Sequence, residues 1–456
     1  MEINRKDVIW NYVATFLKIG VSVLLLPFIL RVFPQETIAI WTVFSTIIAL
    51  TSLLDFGFNP SFARNVSYVV SGVKELKTTG YQVVENANAN IDYGLFKGLI
   101  NTMRWFYARM ALLLFILLAT AGTYYIHTIL HSYSGNKQEV YIAWVILVFI
   151  NSYSLYTYYY DSLLQGKGLI KRAKQIEFTG NIIYLCVAIV LIMLRFNLIA
   201  VVSAQALSIL IRRILSYYTV YTSDFKRALK KATARAIKEF IKPILPNAVK
   251  LGLTGLGSFL VTRSSVLIGS LFLSLDDIAS YGITIQIIAI ISSVAGVYFA
   301  TYQPKIAQYR IQNNILAIKK LYLRSCGLML LIFIVCGLAL LFFGDWTMEV
   351  IKSKTPLMSQ AFIFVALLVN LLLTNHSTAA GFLVTKNDVP FFYAALIEGV
   401  VSVILLIIFL KFTNLGVWAL ILSQGITWVC YSNWKWPLVV IKELFVTDKG
   451  LKGTII

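Results

Sequence analysis

The chain has 456 residues, of which 59% are hydrophobic and 13% charged, with a mean hydropathy of +0.78. Soluble domains carry about a quarter charged residues, so a water-soluble globule is excluded and most of the surface must face lipid. The net charge of +20, from 40 Lys and Arg against 20 Asp and Glu, would suggest nucleic acid in a soluble protein. In a membrane protein it suggests inner loops against anionic lipid, and no nucleic-acid partner is expected.

A membrane span needs about 20 predominantly apolar residues. About twelve runs meet that need: 8–33, 37–57, 104–127, 140–164, 176–196, 198–219, 244–272, 278–302, 321–344, 359–384, 391–411 and 414–434. The basic start MEINRKDVIWNY leads into the first run with no small-residue cleavage site behind it, so that run reads as a retained helix. VFPQET and RFNLI are short enough to make tight helical hairpins.

After the second run comes LLDFGFNPSFARNVS, Leu53 to Ser67. Asp55 ends the helix, and Gly57 and Pro60 are expected to break it and turn the chain into an inner loop. Arg64 then lies near enough to pair with Asp55 or with a phosphate headgroup. Two readings stand: an ion pair that terminates the helix, and a gate latch that opens when a substrate pyrophosphate competes for Arg64. The fourth run closes on YSLYTYYY, Tyr153 to Tyr160, which suits an interfacial aromatic belt.

The longest basic stretch is YTSDFKRALKKATARAIKEFIKP, Tyr221 to Pro243. Its cations recur at helical spacing beside Phe225, Leu229, Ile237, Phe240 and Ile241, which suits an amphipathic helix lying on the inner membrane face. With both termini cytoplasmic, the inner loops hold about 28 Lys and Arg and the outer loops about 6.

Six runs precede the basic stretch and six follow it. Ile38–Ser52 also lines up with Ile278–Ser293 at an offset of 240, matching Ile38/Ile278, Ala39/Ala279, Trp41/Tyr281, Ala49/Ala289 and Ser52/Ser292. The expected fold is therefore an all-α membrane protein of about 12 transmembrane helices. Two six-helix bundles are related by a pseudo-twofold along the membrane normal. The expected boundaries are 1–219 for the first bundle, 220–243 for the linker, 244–436 for the second bundle and 437–456 for a cytoplasmic tail. Such a repeat is the signature of a transporter, with substrate held between the bundles.

Ionisable residues inside spans are costly and mark pathways by default. Lys18 lies in the first run, Lys250 and Arg263 in the seventh and Glu398 in the eleventh; Arg109, Asp161, Arg212 and Arg213 lie nearer the inner face. The last four have bland readings: snorkelling for the arginines and a loop base as partner for Asp161. Glu398 is either a structural pair or a proton site. Lys18, Lys250 and Arg263 are expected to line a cationic cavity for an anionic cargo. Asn11, Asn247, Gln286 and Gln303 are candidate hydroxyl binders beside it. Cys186, Cys326, Cys336 and Cys430 lie in or beside apolar runs and read as core residues. No phosphate-binding GxxxxGK[ST], zinc-like spacing or nucleophile–base set occurs, so no enzyme, metal or cofactor is expected.

With the second run placed, FPQETIAIWTVFSTIIALTSLLDFGFNPSFARNVS (Phe33 to Ser67) resembles the opening of bacterial polysaccharide flippases. These are the O-antigen and capsule exporters of the multidrug/oligosaccharidyl-lipid/polysaccharide superfamily. The likeness rests on Glu36, Trp41, Asp55, Phe56, Gly57 and Arg64, and on LLQGKGLIKRAKQIE, Leu163 to Glu177. Ile40–Trp41 departs from the family's tyrosine–glycine, and Asn59–Pro60 breaks its segment after Gly57.

The resemblance implies a multi-pass protein of the bacterial inner membrane. It would carry undecaprenyl-pyrophosphate-linked oligosaccharide to the outer leaflet by alternating access. A polysaccharide polymerase and a chain-length regulator are the partners such a pathway implies, besides the lipid bilayer. Two rivals fit less well. A multidrug or cation exporter of the same fold predicts an acidic cavity, whereas the deep charges here are mostly basic. A membrane-embedded polymerase or glycosyltransferase would carry a large outer loop, whereas the outer loops here are short.

Overall fold

A computed structural model describes residues 5–73, 91–312, 314–386 and 390–445. Every regular element among them is helical. In chain order the first nine are α1 (Arg5–Val32), α2 (Gln35–Leu53), α3 (Phe58–Val70), α4 (Tyr93–Leu117), α5 (Thr123–Ile129), α6 (Lys137–Tyr156), α7 (Tyr159–Gly166), α8 (Ile170–Met193) and α9 (Asn197–Val220). A single π turn, Leu118–Gly122, joins α4 to α5. There follow α10 (Ser223–Lys231), α11 (Lys238–Gly269), α12 (Leu275–Ile311), α13 (Ile315–Ile351), α14 (Gln360–Val384), α15 (Phe392–Phe412), α16 (Trp418–Cys430) and α17 (Ser432–Phe445).

Each expected span is helical, and three of them are divided between two helices: 104–127 between α4 and α5, 140–164 between α6 and α7, and 414–434 between α16 and α17. Among the described residues, eight stretches are long and apolar enough to cross a membrane: 93–129, 137–166, 170–193, 197–220, 275–303, 315–351, 360–384 and 392–412. Ile19–Val32 and Gln35–Thr51 are shorter apolar helices. The apolar side chains point outward as well as inward; Phe342 and Tyr124 are each 75% exposed. Water would penalise such a surface and a bilayer does not. The chain is a multi-pass membrane protein.

Helix starts follow local chemistry. Asp92, Asn136, Thr222, Asn314 and Ser359 each accept a hydrogen bond from a first-turn backbone N–H, which satisfies a donor that the helix itself leaves unpaired.

The expectation of a loop after Gly57 is corrected. Phe56 (φ 47°) and Gly57 (φ 69°) take left-handed backbone in succession, and the chain re-enters a helix at once as α3. Pro60 is the third residue of that helix, where its missing N–H has no intrahelical partner to lose. The basic stretch is also helical for less of its length than its periodicity suggests. Beyond Lys231 the chain leaves the helix and lies along the start of α4. Arg235 pairs with Asp92 at 2.7 Å, and Lys97 Nζ donates to the Ala232 carbonyl at 2.8 Å. Gly94 and Gly98 permit the approach: a Cβ at either would lie under 3 Å from Thr233 O or from Arg235 O and the Phe240 ring.

The chain divides into two compact units, one of residues Met1–Phe33 and Phe44–Gly255, the other of Pro34–Val43 and Leu256–Ile456. In the first, α8 packs on α1 and α9, α6 on α4 and α9, and α3 on α7. Its largest buried side chains include Trp144, Tyr107, Phe62 and Phe96. The second packs α12 on α13 and α14, α14 on α17 and α15 on α16. Phe299, Tyr322, Phe382 and Trp436 anchor its core.

The opening segment of that unit, Pro34–Val43, is Pro34 and the start of α2. Gln35 Nε2 donates to the Asp276 carbonyl at 3.2 Å, and Ile38, Ala39, Ile278 and Ala279 are all buried. Gly282 meets Thr42, the residue 240 positions earlier: an added Cβ would lie 2.5 Å from Thr42 Oγ1. The two segments of the internal sequence match therefore touch at matched positions, Thr42 and Gly282.

Candidate functional site

A buried polar network in the first unit grows from the α2–α3 turn. The two left-handed residues swing the Asp55 carboxylate over the first turn of α3. There Asn59 N–H donates to its oxygens at 3.1 and 3.2 Å. Tyr107, from α4, donates its hydroxyl to Oδ1 at 2.6 Å. Asp55 is 6% exposed, and burial outweighs these hydrogen bonds, so its pKa is pushed up to about 6. The turn has no slack on its other side, where a Cβ at Gly252 of α11 would lie 2.6 Å from Phe56 Cα.

The network continues across the bundle. Asn59 Nδ2 donates to the Tyr158 carbonyl at 3.4 Å, and Ser162 Oγ donates to the Asn59 carbonyl at 3.2 Å. This ties α3 to the break between α6 and α7. Tyr158 lies edge-on to Tyr107. Arg213 Nη1 then pairs with Asp161 Oδ1 at 2.9 Å, and Arg212 Nη2 donates to Asn181 Oδ1 at 2.7 Å. Gly180 lets the Arg212 chain pass, since an added Cβ would collide with Arg212 Nε. Buried Arg212 Nε, Arg213 Nε and Asn181 Nδ2 have no hydrogen-bond partner among the described residues, an unmet cost in a helical bundle.

Two sequence expectations are corrected here. Asp55 and Arg64 do not pair, because the left-handed turn points the carboxylate inward. Arg64 is exposed on α3 with no hydrogen bond or ion pair to another described residue. Arg213 does not snorkel and Asp161 does not pair with a loop base: the two meet inside the bundle, with Arg213 buried. Arg109 is exposed and stacks on Trp105 with its guanidinium 3.9 Å from the ring centroid. Tyr159 and Tyr160 are buried, so only part of the tyrosine run can serve as a belt.

The remaining candidates are dispersed. The side chains of Asn11, Lys18, Asn247 and Lys250 lie outside the described residues. Arg263 is exposed on α11 and makes no hydrogen bond or ion pair with another described residue. Gln286 is half-buried on α12, and Gln303 Nε2 is committed to the Gly381 carbonyl at 2.9 Å. Glu398 is buried on α15 against Ser432, and its Oε1 has no hydrogen-bond partner among the described residues. Cys186 and Cys430 are exposed rather than core residues.

The second unit holds polar groups that the sequence reading missed. Gln424 Nε2 donates to Ser265 Oγ at 2.9 Å and to Tyr281 OH at 3.2 Å, all three side chains being buried. His376 Nδ1 lies 2.6 Å from Asn433 Oδ1. The available signal was the presence of Gln, Asn and His in apolar runs, where polar side chains cross-link helices. No group of three or more His, Cys, Asp or Glu suited to a metal occurs among the described residues.

Among solved structures, the chain is similar over nearly its whole length to transporters of one fold. A multidrug resistance MATE family transporter of the MOP superfamily, in its inward-facing conformation, aligns with TM-score 0.63 and 15% identity, covering 94% of this chain and 96% of its own. A MATE structure in a bent conformation aligns with TM-score 0.59 and 15% identity, covering 97% of each chain. A MOP superfamily transporter from Pyrococcus furiosus, described as having a binding pocket of reverse polarity, aligns with TM-score 0.58 and 14% identity, covering 98% and 96%. No family model matches the sequence, and no curated protein matches it. The fold is that of the MATE transporters.

Proposed function

We propose that the protein is a MOP-type membrane transporter that exports an amphiphilic solute by alternating access. The observation that carries this is the end-to-end likeness in fold to multidrug MATE transporters, at 94% and 96% coverage. Buried carboxylates support the exporter reading: Asp55 in the first unit, and Glu398 with its unpartnered Oε1 in the second. A buried carboxylate that gains and loses a proton is the usual means of coupling uphill export to a proton gradient.

A second reading is favoured by the segment Phe33–Ser67 and by Arg263. In it the cargo is undecaprenyl-pyrophosphate-linked oligosaccharide, moved from the cytoplasmic to the periplasmic leaflet of a bacterial inner membrane. Lys18, Lys250 and Arg263 would hold the pyrophosphate.

Deletion of the gene, with plasmid complementation, separates the two readings. The exporter reading expects sensitivity to lipophilic cations that wild type relieves and Asp55→Asn or Glu398→Gln does not. The flippase reading expects lipid-linked oligosaccharide to accumulate on the inner leaflet, relieved by wild type but not by Arg263→Ala. If the deletion changes neither, both readings fail.

A further inference from the structure

A cationic site lies apart from the Asp55 network, where α10 and the end of α9 meet the first three turns of α4. A cleft of about 250 Å³ there is lined by Lys97, Asn101, Arg104, Tyr221, Lys226 and Lys230, with Ile100 and Leu229 at its walls. We propose that it binds a phosphate group, either the headgroup of an anionic lipid or free inorganic phosphate.

Four cations converge with no carboxylate among them. None of the four forms an ion pair with a described Asp or Glu. The neighbouring acid, Asp92, is already committed to Arg235 at 2.7 Å and to the Leu95 N–H at 2.9 Å. Asp224 is exposed on α10 and is not part of the lining.

Three of the four heads are held in place, and Lys230 is exposed at the rim. The Arg104 guanidinium lies 5.5 Å from the Tyr159 ring centroid and 5.7 Å from that of Tyr221, and its Nη2 donates to Tyr221 OH at 3.0 Å. Its buried Nε has no hydrogen-bond partner among the described residues. Lys226 Nζ lies 4.8 Å from the Tyr217 ring centroid, and Lys97 Nζ is fixed by the Ala232 carbonyl. Side chains already ordered by packing lose little freedom when a ligand arrives. Arginine presents a donor fork matched to phosphate, and the lysines add point charge.

The size and setting fit the class. Drug-sized ligands occupy pockets of about 300–1,000 Å³, so this cleft suits a headgroup better than a whole amphiphile. Two turns farther along α4, Leu112 and Leu113 begin an outward apolar surface, 59% and 47% exposed. A headgroup in the cleft would leave its acyl chains beside that surface.

The test uses the full chain in an uncharged detergent. Dihexanoyl phosphatidic acid and inorganic phosphate are titrated separately, and binding is read by calorimetry. The variants are Lys226→Gln with Lys230→Gln, the single variant Arg104→Gln, and a charge-matched control, Arg172→Gln with Lys320→Gln. One phosphate-bearing molecule should bind per chain. The paired lysine variant should weaken binding about thirtyfold with an unchanged melting temperature in ligand-free buffer, and the control should bind as wild type does. Binding of the lipid with no competition from inorganic phosphate assigns a membrane headgroup. Binding of inorganic phosphate with the same lysine dependence assigns the soluble ion. If neither binds, or the paired lysine variant binds as wild type does, the proposal is overturned.

Discussion

Replacing Asp55 by asparagine tests the buried carboxylate directly, because its effect on stability should change sign with pH. The carboxyl has its pKa pushed from an ordinary 3.8 to about 6, with burial as the largest cause. A raised carboxylate pKa means that the folded state takes up a proton as pH falls through about 6. The wild type therefore gains stability between about pH 6 and pH 4 and lacks that gain above the window. At roughly 1.4 kcal/mol per pH unit, the gap is worth about 3 kcal/mol.

Asparagine carries no charge to bury, and its Oδ1 can still accept from Tyr107, but its amide NH2 replaces Oδ2 and sets a donor against the Asn59 N–H that Oδ2 accepts from at 3.2 Å. That loss costs roughly 1–2 kcal/mol. Asp55→Asn should thus be more stable than wild type by about 1–2 kcal/mol at pH 8 and less stable by a similar amount at pH 4. In a protein of this size that corresponds to roughly 1–3 °C in unfolding temperature. The assay is the unfolding temperature of both proteins in one detergent across pH 4 to 8. Carboxylates common to both chains cancel in the difference. An offset that does not move with pH would refute the argument from burial.

Other substitutions probe the packing. Gly57→Ala places a side chain at φ 69° and should cost roughly 1–2 kcal/mol, read as a lower unfolding temperature. Asp161→Asn leaves the buried Arg213 guanidinium without its 2.9 Å partner. It should destabilise more than Asp161→Asn combined with Arg213→Gln does, a non-additivity that a double-mutant cycle measures. Gly282→Val drives a side chain into Thr42; the yield of folded protein should fall and recover in part with Thr42→Ala, and equal yields throughout would deny the close crossing.

The sequence was most legible where one physical rule acts alone. Runs of about 20 apolar residues must be helical in lipid, and every expected span is helical, though the breaks inside 104–127, 140–164 and 414–434 were not foreseen. Rules that compete were harder to read. Pro60 resembled a helix breaker, yet in the first turn of α3 it has no hydrogen bond to break. The periodicity of the basic stretch continues past Lys231, but Asp92 and the small residues Gly94 and Gly98 capture the chain on α4.

The buried network was only half visible. Asp55, Asp161, Arg212 and Arg213 stood out as charges in apolar runs, but their partners come from tertiary packing. Snorkelling was the better local guess for Arg213 until Asp161 was seen to meet it across the bundle. Tyr107, Asn59 and Asn181 carry no charge, and in such an aromatic, apolar chain nothing local separated them from their neighbours.

Purified protein in liposomes with an imposed proton gradient tests the transport claim most directly. Movement of a fluorescent lipophilic cation and of a pyrophosphate-linked polyprenyl oligosaccharide would be followed in parallel, beside protein-free liposomes. The account predicts gradient-dependent movement of one of the two above the protein-free rate, weakened by Asp55→Asn for the cation or by Arg263→Ala for the oligosaccharide. Folded, correctly inserted protein that moves neither would contradict it.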